Sequence, residues 1–386
     1  GLAALLGPHQ PRTNRAPLVM SVGEPQHAPP PLIEQALREN AHLWSKYPPL
    51  AGTPEFRRAA AGWVCRRFGV PEHLVDADAS VLPVAGTREA LFMAGLLCPD
   101  RKNGQIPAAL TPNPFYAVYE GGALLGGMEP VFLTADAATG FLPDLDALEA
   151  QPELLARTAI FYLCSPSNPQ GAAADLNYLK RAIALARRWN FVLAMDECYA
   201  EIYLDAPPAG AFTAALDVEY AKSPWDNLLV FHSLSKRSNA AGLRSGFVIG
   251  DPALIAAFNR LRNYANAGTS LPGLAAAAAL WSDDAHVIEN RARYVEKFAR
   301  AEAILDGRLG YRRPAGGFFL WLDVGDGEDA AKKLWIDGGL RVLPGAYLAQ
   351  PDRDGRNPGQ PYIRVAVVHD VAAVGEACET MVRLLT

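Results

Sequence analysis

The feature that most constrains this chain is a recurring alternation of short, almost continuously apolar runs with helical stretches. Ser80-Val-Leu-Pro-Val-Ala85, Ile160-Phe-Tyr-Leu-Cys164, Phe191-Val-Leu-Ala-Met195, Leu228-Leu-Val-Phe-His232 and Phe247-Val-Ile249 are runs of this kind. They read as strands buried on both faces, because neither side of such a run is written for water. Gly86-Thr-Arg-Glu-Ala-Leu-Phe92 opens a helix after the first run, and another helix extends from Asp175, a good N-cap, to Trp189. The pattern predicts an α/β fold with a mostly parallel sheet between helices. Polar residues gather directly after the strands, at Ser165 to Gly171, Asp196 to Tyr199 and Ser233 to Lys236. Ligands of open α/β sheets bind at the carboxyl ends of the strands, so these clusters predict one site.

The two ends of the chain read differently. The first forty residues are proline-rich, as in Pro29-Pro-Pro31, and read as an extended arm. From Thr53 the spacing of Phe56, Ala60, Trp63 and Val64 is helical. After Ser270 an alanine-rich helical stretch leads to a charged helix over Val287 to Leu305, with strands at Phe318 to Leu322 and Tyr362 to Ala366. The expected division is an arm with part of a small domain over 1–40, a large domain over 41–270 and a small α+β domain over 271–386.

Composition removes several classes of function. A net charge of −5 does not favour a nucleic-acid surface. The seven histidines are scattered, and neither HExxH nor a paired CxxC occurs, so no metal site is expected. Cys65, Cys98, Cys164, Cys198 and Cys378 are odd in number and far apart, which reads as reduced thiols of a cytosolic protein. No apolar run approaches the roughly 20 residues of a membrane span. The opening Gly1-Leu-Ala-Ala-Leu-Leu-Gly7 has neither an initiator Met nor a basic leader, so natural residues are expected to precede it. The expectation is a soluble cytoplasmic enzyme.

Within the clusters, Lys236 closes a strand and its short loop. A lysine at a desolvated strand end has a lowered pKa and can act as a nucleophilic amine, although an ordinary surface lysine fits this segment alone equally well. Ser233, Ser235 and Arg244 stand close by in sequence and together could hold a phosphate dianion beside the amine. Asp196 ends another strand; alone it supports no more than a helix cap. Ser165-Pro-Ser-Asn168-Pro-Gln-Gly171 is an Asn-Pro turn whose asparagine side chain stays available to a ligand. Gly86-Thr87-Arg88 would aim backbone N–H groups at an anion from a helix N-terminus.

Taken together these segments resemble the class I/II aminotransferases of the aspartate-aminotransferase fold type I, from Gly23 to Arg364. The most specific match is Ser233-Leu-Ser-Lys236 followed by Arg244. The resemblance implies pyridoxal 5'-phosphate as cofactor, with Lys236 as its Schiff-base lysine and Ser233, Ser235, Arg244 and the Gly86-Thr87-Arg88 loop around its phosphate. It implies Asp196 opposite the pyridine nitrogen, Tyr199 and Asn168 at the phenolic oxygen, and Tyr116 stacked on the ring. Arg364, with the backbone of Gly23 and with Asn168, would bind the substrate α-carboxylate. Tyr47 would reach the phosphate of a neighbouring subunit, which implies a homodimer with shared sites. The implied partners are a small amino acid and a 2-oxo acid, with no nucleic acid, membrane or metal.

Gly86-Thr-Arg-Glu-Ala-Leu-Phe92, Ser235-Lys-Arg-Ser-Asn239 and Pro114-Phe-Tyr116 with Glu120-Gly-Gly122 are most similar to bacterial succinyldiaminopimelate aminotransferases of lysine biosynthesis. Arg88 and Arg237 are the candidate readers of the distal succinyl group. One departure is Arg262-Asn-Tyr-Ala-Asn-Ala267, which lacks the histidine and glycine expected after its tyrosine. Ser233-Leu-Ser-Lys236 also satisfies the Ser-x-x-Lys of penicillin-recognising hydrolases, but Ser-Asp-Asn, Lys-Thr-Gly and Gly-x-Ser-x-Gly are all missing. A lyase on the same cofactor is the other chemistry such a fold can host. A non-catalytic regulatory relative fits poorly with a retained Lys236 and Asp196.

Overall fold

The computed structural model describes residues 1–97, 104–265 and 268–386; Cys98, Asn266 and Ala267 lie outside them. In chain order the strands are β1 (Leu18–Val19), β2 (Val81–Val84), β3 (Ala108–Asn113), β4 (Glu129–Thr134), β5 (Thr158–Cys164) and β6 (Val192–Asp196). They continue with β7 (Leu228–Ser233), β8 (Gly246–Gly250), β9 (Phe319–Asp323), β10 (Leu340–Arg341), β11 (Leu343–Pro344) and β12 (Tyr362–Ala366).

Seven of these form the central sheet, in the order β2-β8-β7-β6-β5-β3-β4. β8 runs antiparallel to both its neighbours, and the remaining pairs are parallel. The exception has a simple cause. Between β7 and β8 the chain carries only the short helix Leu234–Arg237 and a single 3₁₀ turn, too little for a parallel crossover. The expected apolar runs became β2, β5, β6, β7 and β8. The helix after Asp175 spans Leu176–Trp189, with the Asp175 side chain accepting from the Tyr178 N–H at 2.7 Å. Two apolar layers, one on each face of the sheet, make up its core.

β3 and β4 were not foreseen: each combines a proline with polar residues (Thr111 and Asn113; Glu129 and Thr134), whereas β2 keeps an unbroken apolar run around Pro83. β4 is an edge strand, where Pro130 withholds no needed N–H. Pro112 lies beyond the stretch of β3 that registers with β5.

The proline-rich start is corrected. It is not a uniformly extended arm, since it holds the helices Leu2–Leu6 and Leu32–Glu39 as well as β1. Pro31 sits at the N-cap of the second helix, where a missing N–H carries no penalty, and Leu32, Ile33 and Ala36 line its inner side. β1 pairs in parallel with β10, and Met20 enters the core beneath the small antiparallel sheet β11-β12-β9. The helix Leu271–Ser282, expected with the smaller domain, buries Leu274, Ala277, Leu280 and Trp281 in the core beside the central sheet. The helix Ala285–Leu305 turns to the small sheet, with Phe298, Ala301 and Leu305 in its core.

Among the described residues no helix is long and apolar enough to cross a membrane, and no cluster of potential metal ligands occurs. Cys65, Cys164 and Cys378 are buried free thiols and Cys198 is half-buried.

Candidate active site

β5, β6 and β7 are parallel neighbours, so their carboxyl ends open on one side of the sheet. A cavity of about 530 Å³ lies there. It is bounded by Gly23, Thr87, Arg88, Tyr116, Asn168, Asp196, Tyr199, Ser233, Ser235, Lys236, Arg244 and Arg364, all of which the sequence had singled out. Gly86, the N-cap of the helix Thr87–Gly95, stands at the same end, where its φ of +95° allows a close approach. A Cβ there would come within 2.3 Å of an Arg244 guanidinium nitrogen. A larger groove of about 1570 Å³ runs along the β4 edge and contains none of these side chains.

Lys236 lies in the short helix after β7, and its ammonium donates to the Gly23 carbonyl at 2.6 Å, 5.1 Å from the Phe318 ring centre. Burial, aided by the like charge of Arg364, pushes the amine down to about 8. Asp196 is buried at the end of β6. It accepts from the Tyr119 hydroxyl at 2.8 Å and from the Cys198 N–H at 3.2 Å. Desolvation pushes its carboxyl pKa up, and those two donors together with Lys236 counteract the rise. Tyr199 is buried edge-on to Phe318 and Phe319.

Arg364 reaches the cavity from β12 of the small sheet. It donates to Asn168 Oδ1 at 3.0 Å and to the Ser21 carbonyl at 2.8 Å, while its Nε has no partner among the described residues. Burial lowers the guanidinium to about 10, still charged at neutral pH. A buried, rigidly held guanidinium with a free N–H is suited to a carboxylate.

At the opposite end, Ser233 accepts from the Ser235 N–H at 3.1 Å and caps the Lys236 helix. Arg244 donates to the carbonyls of Ala241 and Ala85 at 3.0 and 3.2 Å. Thr87 Oγ1 meets Cys198 Sγ at 3.0 Å, and the Arg88 guanidinium lies 5.7 Å from the Tyr116 ring.

Two expected residues lie elsewhere. Arg237 is corrected: it points away from the cavity, between Trp63 and Trp281, and donates to Leu280 O, Asp283 O and Asp284. Its position one residue after Lys236 turns it to the other side of the helix, so it cannot read a substrate. Tyr47 is 95% exposed and outside the cavity of its own chain. Conversely, Tyr119, Cys198 and Phe319 line the cavity without having been singled out. Tyr119 had a usable signal. It stands three residues after Tyr116 at a helix start, a spacing that puts both side chains on one face.

This donor set can hold a dianion at the Ser233–Arg244 end and a cationic ring atom at Asp196. Between them stands an amine able to lose its proton near neutrality.

The family model described as aminotransferase class I and II matches residues 16–381. The chain is 33% identical to the 4-dedimethylamino-4-oxo-anhydrotetracycline transaminase OxyQ of Streptomyces rimosus, over 90% of this chain and 88% of that protein. It is 30% identical to an LL-diaminopimelate aminotransferase of Syntrophobacter fumaroxidans, over 95% and 90%. A solved aminotransferase of Neisseria meningitidis superposes with a TM-score of 0.92 at 40% identity, covering 100% of this chain and 96% of the other. Members of this family use pyridoxal 5'-phosphate, and the chemistry of the donor set fits that group. With the match running through nearly its whole length, the chain belongs to the class I and II aminotransferases.

Proposed function

We propose that the enzyme moves an amino group between N-succinyl-LL-2,6-diaminopimelate and 2-oxoglutarate, in lysine biosynthesis, with the residues of this cavity in the roles their chemistry suits. The observation that carries the reading is the convergence of Lys236, Asp196 and Arg364 on one enclosed space. The LL-diaminopimelate aminotransferases among its relatives support a diaminopimelate skeleton and favour a second reading, the unsuccinylated amino acid. Incubating each of the two amino acids with 2-oxoglutarate and comparing kcat/KM for glutamate formation separates the readings. No glutamate from either would sink both.

Pyridoxal phosphate, when bound, supplies the aldehyde that carries the amino group and the ring that takes up electron density at the α-carbon. Ser233, Ser235, Arg244 and the N–H groups at the start of the Thr87 helix would hold its phosphate. Tyr116 would pack on the ring, with Asn168 and Tyr199 beside the phenolic oxygen. Asp196 would hold a proton on the ring nitrogen. Arg364 grips the substrate α-carboxylate with two parallel N–H donors, helped by Asn168 and the Gly23 backbone. An anchored carboxylate argues against decarboxylation. Lys236, as a free amine, would be the base that takes the proton from the substrate α-carbon. Arg88, exposed at the cavity rim, is left as the reader of the distal acyl group.

The chain divides, on this reading, into a large cofactor-binding domain and a small domain completed by the N-terminal residues through β1. The helix Leu271–Ser282 goes with the large one because its apolar side packs there.

Cofactor uptake should follow the Lys236 proton. With its amine pushed down to about 8, the rate of covalent uptake by cofactor-free enzyme should climb as pH rises to that value and then level off. Below it the protonated amine is no nucleophile, and each pH unit should cost about tenfold. Absorbance on mixing with cofactor reads this; a rate flat from pH 6 to 9 speaks against the assignment.

Tyr47, exposed together with Trp44 in the stretch before the Pro54–Phe68 helix, supports a homodimer in which each chain completes its partner's site. Sedimentation should give twice the chain mass at assay concentration. Tyr47→Phe should weaken cofactor affinity severalfold, the loss of one hydrogen bond worth ~1 kcal/mol. A fully active monomer would defeat both expectations.

A further inference from the structure

Outside the cavity, a second polar cluster lies where the helix Ala285–Leu305 meets the loop after β1. Lys297 is 1% exposed, and its ammonium donates to the Val368 carbonyl at 3.0 Å, two residues past β12. It also lies 2.7 Å from His27 Nε2, so with a charged lysine that nitrogen must accept, which fixes a neutral imidazole protonated on Nδ1. Burial and the neighbouring Lys297 charge hold His27 down to about 4, in keeping with that tautomer. Burial lowers Lys297 itself to about 8, with Arg293 adding to the fall and Asp370 opposing it, so the ammonium form prevails at pH 7. Both groups border the Tyr294 ring, Lys297 at 4.7 Å and His27 edge-on at 6.0 Å.

His27 lies in the loop between β1 and the helix Leu32–Glu39, and the same loop holds the site. The Ser21 carbonyl accepts from Arg364 and the Gly23 carbonyl from Lys236. Gly23 presses so closely on the aromatic layer that a Cβ would lie 2.6 Å from Phe319 and 3.1 Å from Phe318. Phe318 in turn stacks on Tyr294 at 5.7 Å. Upstream, Met20 is fixed by backbone bonds with Arg341 and Ala366. Downstream, the Lys297–His27 contact is the matching anchor.

We infer that Lys297 and His27 act as a positioning clamp on the loop Ser21–His27, setting substrate affinity through the Ser21 and Gly23 carbonyls. The inference rests on the roles proposed above for Lys236 and Arg364. Lys297→Met should raise KM for both amino donor and oxo acid about tenfold, as loss of a charged hydrogen bond would, with kcat within about threefold of wild type. Amide exchange at residues 21–27 of the holoenzyme should accelerate in parallel. His27→Leu should reproduce both effects, and His27→Gln, whose amide oxygen can still accept from Lys297, should restore wild-type values. If Lys297→Met does not fold, the two His27 variants decide, since His27 is only half-buried.

Unchanged exchange in His27→Leu, a fall in kcat without a change in KM, or no difference between Leu and Gln at 27 would overturn the clamp. The exchange measurement does not depend on turnover, so failure of the reaction assignment and failure of the clamp are read separately.

Discussion

Replacing Lys236 with alanine is expected to abolish transamination, by about 10⁴-fold or more, while the protein stays folded. The variant removes the covalent anchor and the base together, and no other amine among the described residues lines the cavity. Mass spectrometry after borohydride reduction should find no cofactor attached to the chain. Stability should not suffer, because the lost ammonium was buried at a cost. Its pKa of about 8 in the folded protein lies below the ordinary 10.5, so between those values the unfolded chain binds more protons. Wild-type stability therefore rises with pH through that window, and the stability of Lys236→Ala lacks that increment. Thermal midpoints of the two cofactor-free proteins at pH 7 and 10 test the sign. Turnover within tenfold of wild type would remove Lys236 from the mechanism.

How much of this was legible beforehand follows from which interactions are local. β5, β6 and β7 could be read because each is a continuous apolar run with its polar cluster at the carboxyl end, so strand and site residue came as one signal. The capped helix after Asp175 is local in the same way. β3 and β4 were not read because polar residues break their apolar runs beside Pro112 and Pro130, and whether those prolines are tolerated depends on which neighbour each strand acquires. The helix Leu32–Glu39 was hidden by the prolines that begin it. Among the site residues, Lys236, Asp196 and Arg364 came from motif and resemblance together, and the fold brings them to one cavity. Tyr119 was missed although its spacing from Tyr116 put it on the same helix face; that this face meets Asp196 follows from β3 and β6 ending on the same side of the sheet, which local spacing does not show. Arg237 failed for the reverse reason. Adjacency to Lys236 in sequence looked like proximity to the substrate, whereas a helix sends consecutive side chains in different directions.

Asp196→Asn should leave a protein that still takes up cofactor but turns over slowly, with kcat reduced by roughly 10²–10⁴. The geometry makes this an almost pure test of charge. Asparagine is isosteric: its Oδ1 can keep accepting from the Cys198 N–H at 3.2 Å, and its Nδ2, in place of the oxygen that met Tyr119 at 2.8 Å, can donate to that hydroxyl, so both contacts can survive with the second reversed. What the amide lacks is the negative charge. In the wild type, desolvation pushes the Asp196 carboxyl pKa up, and a protonated ring nitrogen beside it would reverse that rise by pairing with the carboxylate. The same pairing holds the ring proton in place. Once the charge is removed the nitrogen loses its proton near neutrality, and the ring accepts electron density far less readily. Tyr119→Phe is the matching control: it removes one donor to the carboxylate and leaves the charge, so kcat should fall by no more than about tenfold. If Asp196→Asn and Tyr119→Phe were equally mild, the aspartate would be serving as an acceptor for its neighbours and not as the counter-charge of the cofactor.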